Sequence, residues 1–226
     1  MGKYLLAGDA ADKIVKIILF GSWAKHTETP ASDIDVLIVA ANGKSVEKSL
    51  MDTVYDFMIQ HNAPLEVITA SIDDLFFGHE YFLQNITGYG VEVYSMEKDQ
   101  IKKMMLVDLA DLAEEYLDSA REVLSRNRWR LGIDAAYNAA ELAAKALILL
   151  KQDDLPGSHG GVVSLFGQLY VLSGEIDKEL GRSFNLALKL RNEARYKPNA
   201  IISPENARYV INLAEELLKF ARSMIS

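Results

Sequence analysis

The sequence predicts an α+β chain: a sheet with flanking helices over residues 1–98, then an antiparallel helical bundle over residues 103–226. Three observations carry this. Four apolar runs, mostly β-branched and bounded by turn residues, fall before Met96, as buried strands require. Between Met96 and Lys103 the composition shifts and such runs nearly vanish. Beyond it, apolar residues recur three and four apart, the period of amphipathic helices that must bury one face against each other. With 226 residues, 50% of them hydrophobic and 25% charged, the chain is long enough for two small domains with their own cores.

Lys3 to Asp12 reads as a short leading helix or an irregular segment. Ile14 to Phe20, almost continuously apolar, reads as a buried strand ending at Gly21, and Ile34 to Ala40 as a second. Asn42-Gly43 makes a turn, Ser45 can cap, and Leu50, Val54, Phe57 and Met58 mark one face of a helix that Asn62 and Pro64 stop. Leu65 to Thr69 is the third strand, with Glu66 its one charged residue. Ser71 and Asp74 are spaced as in a capping box, and Gly88 and Gly90 turn the chain into a last strand, Val91 to Tyr94.

In the second part, Met105, Leu109, Leu112, Tyr116, Ala120 and Val123 form one helical stripe. Ile133, Ala136, Tyr137, Ala140, Ala144, Leu147 and Leu150 form another, whose alanines allow close helix approach, and Pro156-Gly157 ends it. Val162 to Tyr170 and Ile176 to Ala194 supply further helices. Ser203-Pro204-Glu205 opens the last one with a capping hydroxyl, a proline at the first position and an acid in the first turn. Its buried stripe is Val210, Ile211, Ala214, Leu217, Leu218 and Ala221.

The stretch from Gly21 to Asp35, GSWAKHTETPASDID, carries chemistry. A residue without Cβ at the rim of a sheet lets backbone N–H groups approach a polyphosphate, and the Ser22 hydroxyl can donate one further hydrogen bond. Asp33 and Asp35, two apart on a strand, project to one face with carboxylates roughly 6 to 7 Å apart. At an effective dielectric near 20 their repulsion is about 2.5 kcal/mol, a cost without structural return unless a cation fills the gap. Mg²⁺ is the expected occupant, since it takes a few carboxylates and completes its shell with water and phosphate oxygens. Ser32-Asp33 also reads as ordinary turn chemistry. Trp23 either stacks on a nucleobase or, as large aromatics usually do, packs under the turn.

These residues resemble the minimal nucleotidyltransferases of the DNA polymerase beta superfamily, whose signature runs G-S-x-A-R-G, a spacer, then S-D-x-D. Gly21, Ser22, Ala24, Ser32, Asp33 and Asp35 match, while Lys25 and His26 stand where the family has Arg and Gly. The resemblance covers about the first hundred residues. It implies a mixed sheet and transfer of a nucleoside monophosphate, AMP from ATP, to a hydroxyl. Two Mg²⁺ ions on Asp33 and Asp35 are implied with it, and Gly21, Ser22 and Lys25 would hold the triphosphate. It also implies a third carboxylate on the neighbouring strand, either a metal ligand or the base for the attacking hydroxyl. Glu66 fits by position and order, and reads otherwise as a solvated strand residue.

The second part resembles the HEPN domain, a helical bundle often fused to or encoded beside such transferases. The resemblance rests on the alanine-rich second helix, on Ser158-His159-Gly160-Gly161, and on Arg191-Asn192-Glu193-Ala194-Arg195-Tyr196. RNA-cleaving HEPN domains carry a histidine where Tyr196 stands, and a phenol titrates near pH 10 rather than near neutrality. The motif of Arg191, Asn192 and Tyr196 is therefore degenerate, and ribonuclease activity is not expected. Arg191 and Arg195, four apart, read equally as a solvated helix face, and Tyr196 as a core residue with its hydroxyl at the rim. His159 reads as a loop histidine, since no partner carboxylate or second histidine lies at metal spacing. The two-part arrangement is similar to that of aminoglycoside nucleotidyltransferases, in which the bundle forms part of the acceptor site. The resemblance leaves the acceptor as a small molecule or a protein tyrosine within a toxin and antitoxin pair, Tyr196 included. The alternative is a non-catalytic nucleotide-binding module that dimerises through the bundle.

Composition narrows the remaining classes. The absence of cysteine excludes disulfides and thiolate metal sites. No apolar run reaches membrane-span length and no signal-peptide pattern opens the chain, so a soluble, cytoplasmic protein is expected. A formal charge of −8 argues against indiscriminate binding to nucleic acid.

Overall fold

A computed structural model describes residues 1–41, 43–76 and 81–225. The chain forms two compact units, Met1–Ile101 and Lys102–Ser226. Asn42, expected in a turn, and His79 lie outside the described residues.

The first unit opens with the short helix α1 (Gly2–Leu5) and a 3₁₀ turn at Ala11–Lys13. Strand β1 (Ile14–Phe20) is followed by a one-turn helix α2 (Gly21–Ala24), strand β2 (Ile34–Ala40), helix α3 (Gly43–His61) and strand β3 (Leu65–Ser71). Helices α4 (Ile72–Phe76) and α5 (Tyr81–Tyr89) precede strand β4 (Val91–Ser95). The four strands lie in the order β3-β2-β1-β4, and only β2 and β3 run parallel, so the sheet is mixed. The β-branched runs of β1 and β2 occupy its centre. Ile14, Ile17, Val36 and Ile38 pack with Leu5, Leu50 and Val54 from the flanking helices. Helix α3 begins at Gly43, and Ser45 falls within its range. Asn62 stops the helix with a left-handed φ of 48°, and the capping box of α4 forms as spaced, with Ser71 and Asp74 exchanging hydrogen bonds at 2.7–3.0 Å.

The second unit is helical: α6 (Lys98–Ser125, beginning in the first unit's last residues), α7 (Trp129–Lys151), α8 (His159–Phe166) running into a π-helical turn at Gly167–Val171, α9 (Lys178–Tyr196) and α10 (Pro204–Ile225). Alanine-rich α7 is its axis and packs against α8, α9 and α10. Ala136, Ala139, Ala140, Ala143 and Ala144 are all buried, which lets the helices approach closely. Two sequence expectations need correction. Of the expected α6 stripe Met105, Leu109 and Ala120 are buried, but Leu112 and Tyr116 are 41% and 38% exposed, and Leu106, Ala110, Ala113 and Leu117 are buried beside it. Helix α7 also ends at Lys151, well before Pro156, because Gln152 is already extended at its C-terminus. Ser203 caps α10 as expected, with Asn206 returning the hydrogen bond, and the whole predicted stripe is buried.

Candidate active site

The end of β1 and the start of β2 are antiparallel neighbours, with Phe20 opposite Asp35. That register brings the Asp35 side chain onto Gly21, the next residue along. Gly21 has a φ of 66°, and a Cβ there would fall on the Asp35 carboxylate, 2.6 Å from its Cγ and closer still to Oδ2. Glycine is required twice over, by conformation and by space. The turn glycine and the strand aspartate are thus one contact.

The loop after Gly21 folds on the Ser22 carbonyl, which accepts from the N–H groups of Lys25 at 3.2 Å and Thr27 at 3.0 Å. His26 closes it with a φ of 55°, the left-handed conformation a glycine would take freely. The glycine-like bend therefore persists although the residue is histidine. Ser32 completes the loop as a turn residue: its Oγ accepts from the Thr29 N–H at 2.8 Å. Trp23 is 38% exposed instead of packed beneath the turn.

Parallel pairing of β2 with β3 sets Asp35 beside Glu66 in register, so the two carboxylates share a face of the sheet. Asp33 precedes β2 by one residue and is exposed. Among the described residues no group of three or more His, Cys, Asp or Glu side chains gathers closely enough to cage a metal ion. The donors are hard oxygens at an open rim, and Mg²⁺ is ordinarily held by one or two carboxylates plus water and phosphate. This donor set fits that ion and no thiophilic one.

Tyr89, at the end of α5, escaped the sequence reading. Its hydroxyl accepts from the Gly21 N–H at 3.4 Å, and the Lys25 ammonium lies 4.4 Å from its ring centroid. Lys25 is thereby held on the loop side of the sheet by a cation–π contact. The sequence signal was slight: Tyr89 precedes Gly90, where β4 enters beside β1 and a Cβ would meet Ile18 at 2.5 Å.

In the bundle, Arg191 is 4% exposed and not on a solvated face. Its Nε donates to Asp134 Oδ1 at 3.1 Å and its Nη1 to Asn192 Oδ1 at 3.2 Å. Arg195 reaches both Asp134 oxygens at 3.4 Å. Tyr196 is 65% exposed, not a core residue, with the guanidinium carbons of Arg191 and Arg195 each 5.7 Å from its ring. His159 does have a carboxylate partner. Glu141, buried on α7, pairs with His159 Nδ1 and with Lys145 Nζ, the latter at 3.0 Å. Burial acts to raise Glu141, but the hydrogen bonds from His159 and Lys145 outweigh it and hold the carboxyl below its ordinary value. Tyr137 lies against this pair, and among the described residues its buried hydroxyl has no partner in good hydrogen-bond geometry. Desolvation, reinforced by the Glu141 charge, raises its phenol well above the usual range.

Comparison with known proteins follows this division. The nucleotidyltransferase domain family matches residues 7–118 and the HEPN domain family residues 107–224. A candidate toxin of Methanocaldococcus jannaschii is 34% identical over 107 residues, 47% of this chain and 78% of its own. A UPF0332 protein of Thermotoga maritima is 29% identical over 113 residues, 50% of this chain and 85% of its own. A spectinomycin adenyltransferase of Enterococcus faecialis, solved with ATP and spectinomycin, is similar over 96% of both chains at 13% identity and a TM-score of 0.32. At that distance the two need share neither ligand nor reaction. No helix among the described residues is long and apolar enough to cross a membrane.

Proposed function

Because the chain belongs to the HEPN family over residues 107–224 and carries a nucleotidyltransferase domain ahead of it over residues 7–118, we propose that it transfers AMP from ATP to a hydroxyl acceptor. The observation that carries this is the Asp35 carboxylate seated on left-handed Gly21 with Glu66 its register partner, which sets an acidic pair against a phosphate turn. In this reading Gly21 and Ser22 receive the triphosphate and Lys25 offsets its charge. Asp33, Asp35 and Glu66 would hold two Mg²⁺ ions, which when bound supply charge stabilisation at the attacking and leaving oxygens. The bond between the acceptor oxygen and the α-phosphorus forms as the bond to the pyrophosphate oxygen breaks, and the hydroxyl proton passes to a base. Glu66 serves as that base or as the third ligand.

The acceptor is a small molecule or a protein tyrosine. Tyr196 is a candidate on its own chain, being exposed and flanked by two guanidiniums that favour an added phosphate. The toxin name of the archaeal relative favours a role in a toxin and antitoxin pair. Ribonuclease chemistry is left out of the reading, because Arg191 is buried and occupied by Asp134 and no histidine stands at position 196. One observation favours the second reading, a nucleotide-binding regulatory module without turnover: Lys25 and His26 stand where the transferase signature has Arg and Gly.

Incubation with ATP labelled at the α-phosphate and Mg²⁺ separates the two readings. Release of pyrophosphate, with label on a supplied acceptor or on the chain and lost in Tyr196→Phe where that residue is the acceptor, supports transfer. Bound ATP that is never turned over supports the module.

A further inference from the structure

The turn at Gly21 presents fewer free donors than its sequence suggests. Gly21 has a single backbone N–H, and that hydrogen is spent on the Tyr89 hydroxyl at 3.4 Å. An anion seated at this turn therefore depends on side-chain donors. Among the described residues three of these find no acceptor: the Ser22 hydroxyl, the Lys25 ammonium, which forms no ion pair, and the Tyr89 hydroxyl, which accepts from Gly21 but passes its own proton to no one. Ser22 and Lys25 already have a part in the transfer reading. Tyr89 has none.

The backbone holds Tyr89 in place. It is the last residue of α5, and the next residue, Gly90, donates its N–H to the Ile86 carbonyl at 2.7 Å. A Cβ on Gly90 would lie 2.5 Å from Ile18 Cγ2 and 3.1 Å from the Leu19 carbonyl oxygen, so the end of α5 is pressed directly on β1. Helix α5 also lies on the face that carries the acids. The Phe82 ring meets Phe20 edge-on with centroids 6.3 Å apart, and Phe20 shares a face of the sheet with Asp35, its register partner. The ring of Tyr89 does a second job. The Lys25 ammonium lies 4.4 Å from its centroid, so the cation has a fixed place on a loop where no carboxylate holds it. A long, flexible side chain placed beforehand loses less rotamer freedom when it binds.

Resting on the transfer reading above, we propose that Tyr89 is a phosphate-binding residue of this site: its hydroxyl donates to an oxygen of the nucleoside triphosphate, and its ring positions Lys25 for the same anion. A hydroxyl accepts and donates at once, so the Gly21 N–H is not lost to the ligand but acts through the phenol, each hydrogen bond polarising the next. The bond from phenol to phosphate is charge-assisted and stronger than one between neutral groups.

The test is calorimetric titration of the full chain, in Mg²⁺, with an ATP analogue bearing a methylene bridge between the α- and β-phosphorus. No pyrophosphate can leave this analogue, so binding is read without turnover. Adenosine is titrated in parallel. Tyr89→Phe keeps the ring and its packing, so it should melt with the wild type and bind adenosine unchanged. Its Kd for the analogue should rise about tenfold or more, as loss of one hydrogen bond to a charged group implies. Tyr89→Leu also removes the ring under Lys25, and its Kd should rise about two- to fivefold further. Lys25→Ala should then weaken binding less in the Tyr89→Leu background than in the wild type, because the lysine has already lost its place. A purely structural tyrosine would shift melting and adenosine binding along with the analogue. No binding of the analogue by the wild type, Tyr89→Phe binding it as tightly as the wild type, an equal loss for adenosine, or strictly additive effects of Lys25→Ala and Tyr89→Leu would each overturn the assignment. The two readings fail separately. A wild type that binds the analogue through Tyr89 yet releases no pyrophosphate from ATP refutes transfer and leaves Tyr89 in place, whereas Tyr89→Phe that turns ATP over with an unaltered KM refutes Tyr89 and leaves transfer.

Discussion

Replacing Gly21 by alanine perturbs conformation and site at one atom. A left-handed φ of 66° costs a residue bearing Cβ about 1–2 kcal/mol. The new methyl would lie 2.6 Å from Asp35 Cγ, so the carboxylate must move or the strands must part. Displacements of that kind in packed regions cost about 1–3 kcal/mol. Lower entropy of the unfolded alanine chain returns about 0.4–1 kcal/mol. The net loss is therefore about 1–4.5 kcal/mol, a large share of a stability that for domains of this size is about 5–15 kcal/mol. Urea unfolding followed by a probe of the first unit measures the loss, and pyrophosphate release from ATP measures the displacement of Asp35. Both should fall. A variant with wild-type stability and wild-type turnover would refute the close seating of Asp35 on Gly21 and the site built on it.

His26→Gly should hold or raise stability, by up to about 1 kcal/mol, since glycine adopts the observed φ of 55° without strain, whereas His26→Val should lower it; the reverse order in thermal melts would show the bend is not left-handed. Arg130→Ala should cost about 2–4 kcal/mol in the bundle's denaturant midpoint, because several carbonyls at the end of α9 lose one charged donor, and a loss under about 0.5 kcal/mol would rule out that role. Glu141 is held below its ordinary 4.5, so its pairing stabilises the fold above that value and the contribution is lost as pH falls through the lower folded value. The stability gap between wild type and Glu141→Gln should accordingly be full near pH 6 and shrink towards pH 3; a gap that stays constant over that range would remove the charge-pairing account.

Much of the fold was legible because the chain repeats its message at several levels. The β-branched runs of β1 and β2, the capping pair Ser71 with Asp74, the Ser203 cap and the stripe from Val210 to Ala221 are each written locally and each formed. The α6 stripe holds at Met105, Leu109 and Ala120 but not at Leu112 and Tyr116, because periodicity cannot say which of two adjacent apolar rows faces a neighbour. Leu112 and Tyr116 are more apolar in bulk than Ala110 and Ala113, yet it is the alanines that are buried in the bundle core. Of the site, Gly21 and Asp35 were legible as a motif, but their contact depends on strand register. What remained hidden is long-range. Tyr89 lies 68 residues from the Gly21 N–H it accepts, Asp134 is 57 from Arg191, and Glu141 is 18 from His159. No local pattern announces such pairs. The burial of Arg191 was invisible for the same reason, since one arginine on a helix looks the same with or without an aspartate from another helix above it.

The most direct test of the transfer site is pyrophosphate release from ATP across a Mg²⁺ titration, comparing wild type with Asp35→Asn. The substitution keeps the side chain's volume against Gly21 and removes a carboxylate charge, so the fold should persist while Mg²⁺-dependent release disappears. Asp35→Asn that releases pyrophosphate at the wild-type rate with the same metal dependence would contradict the account.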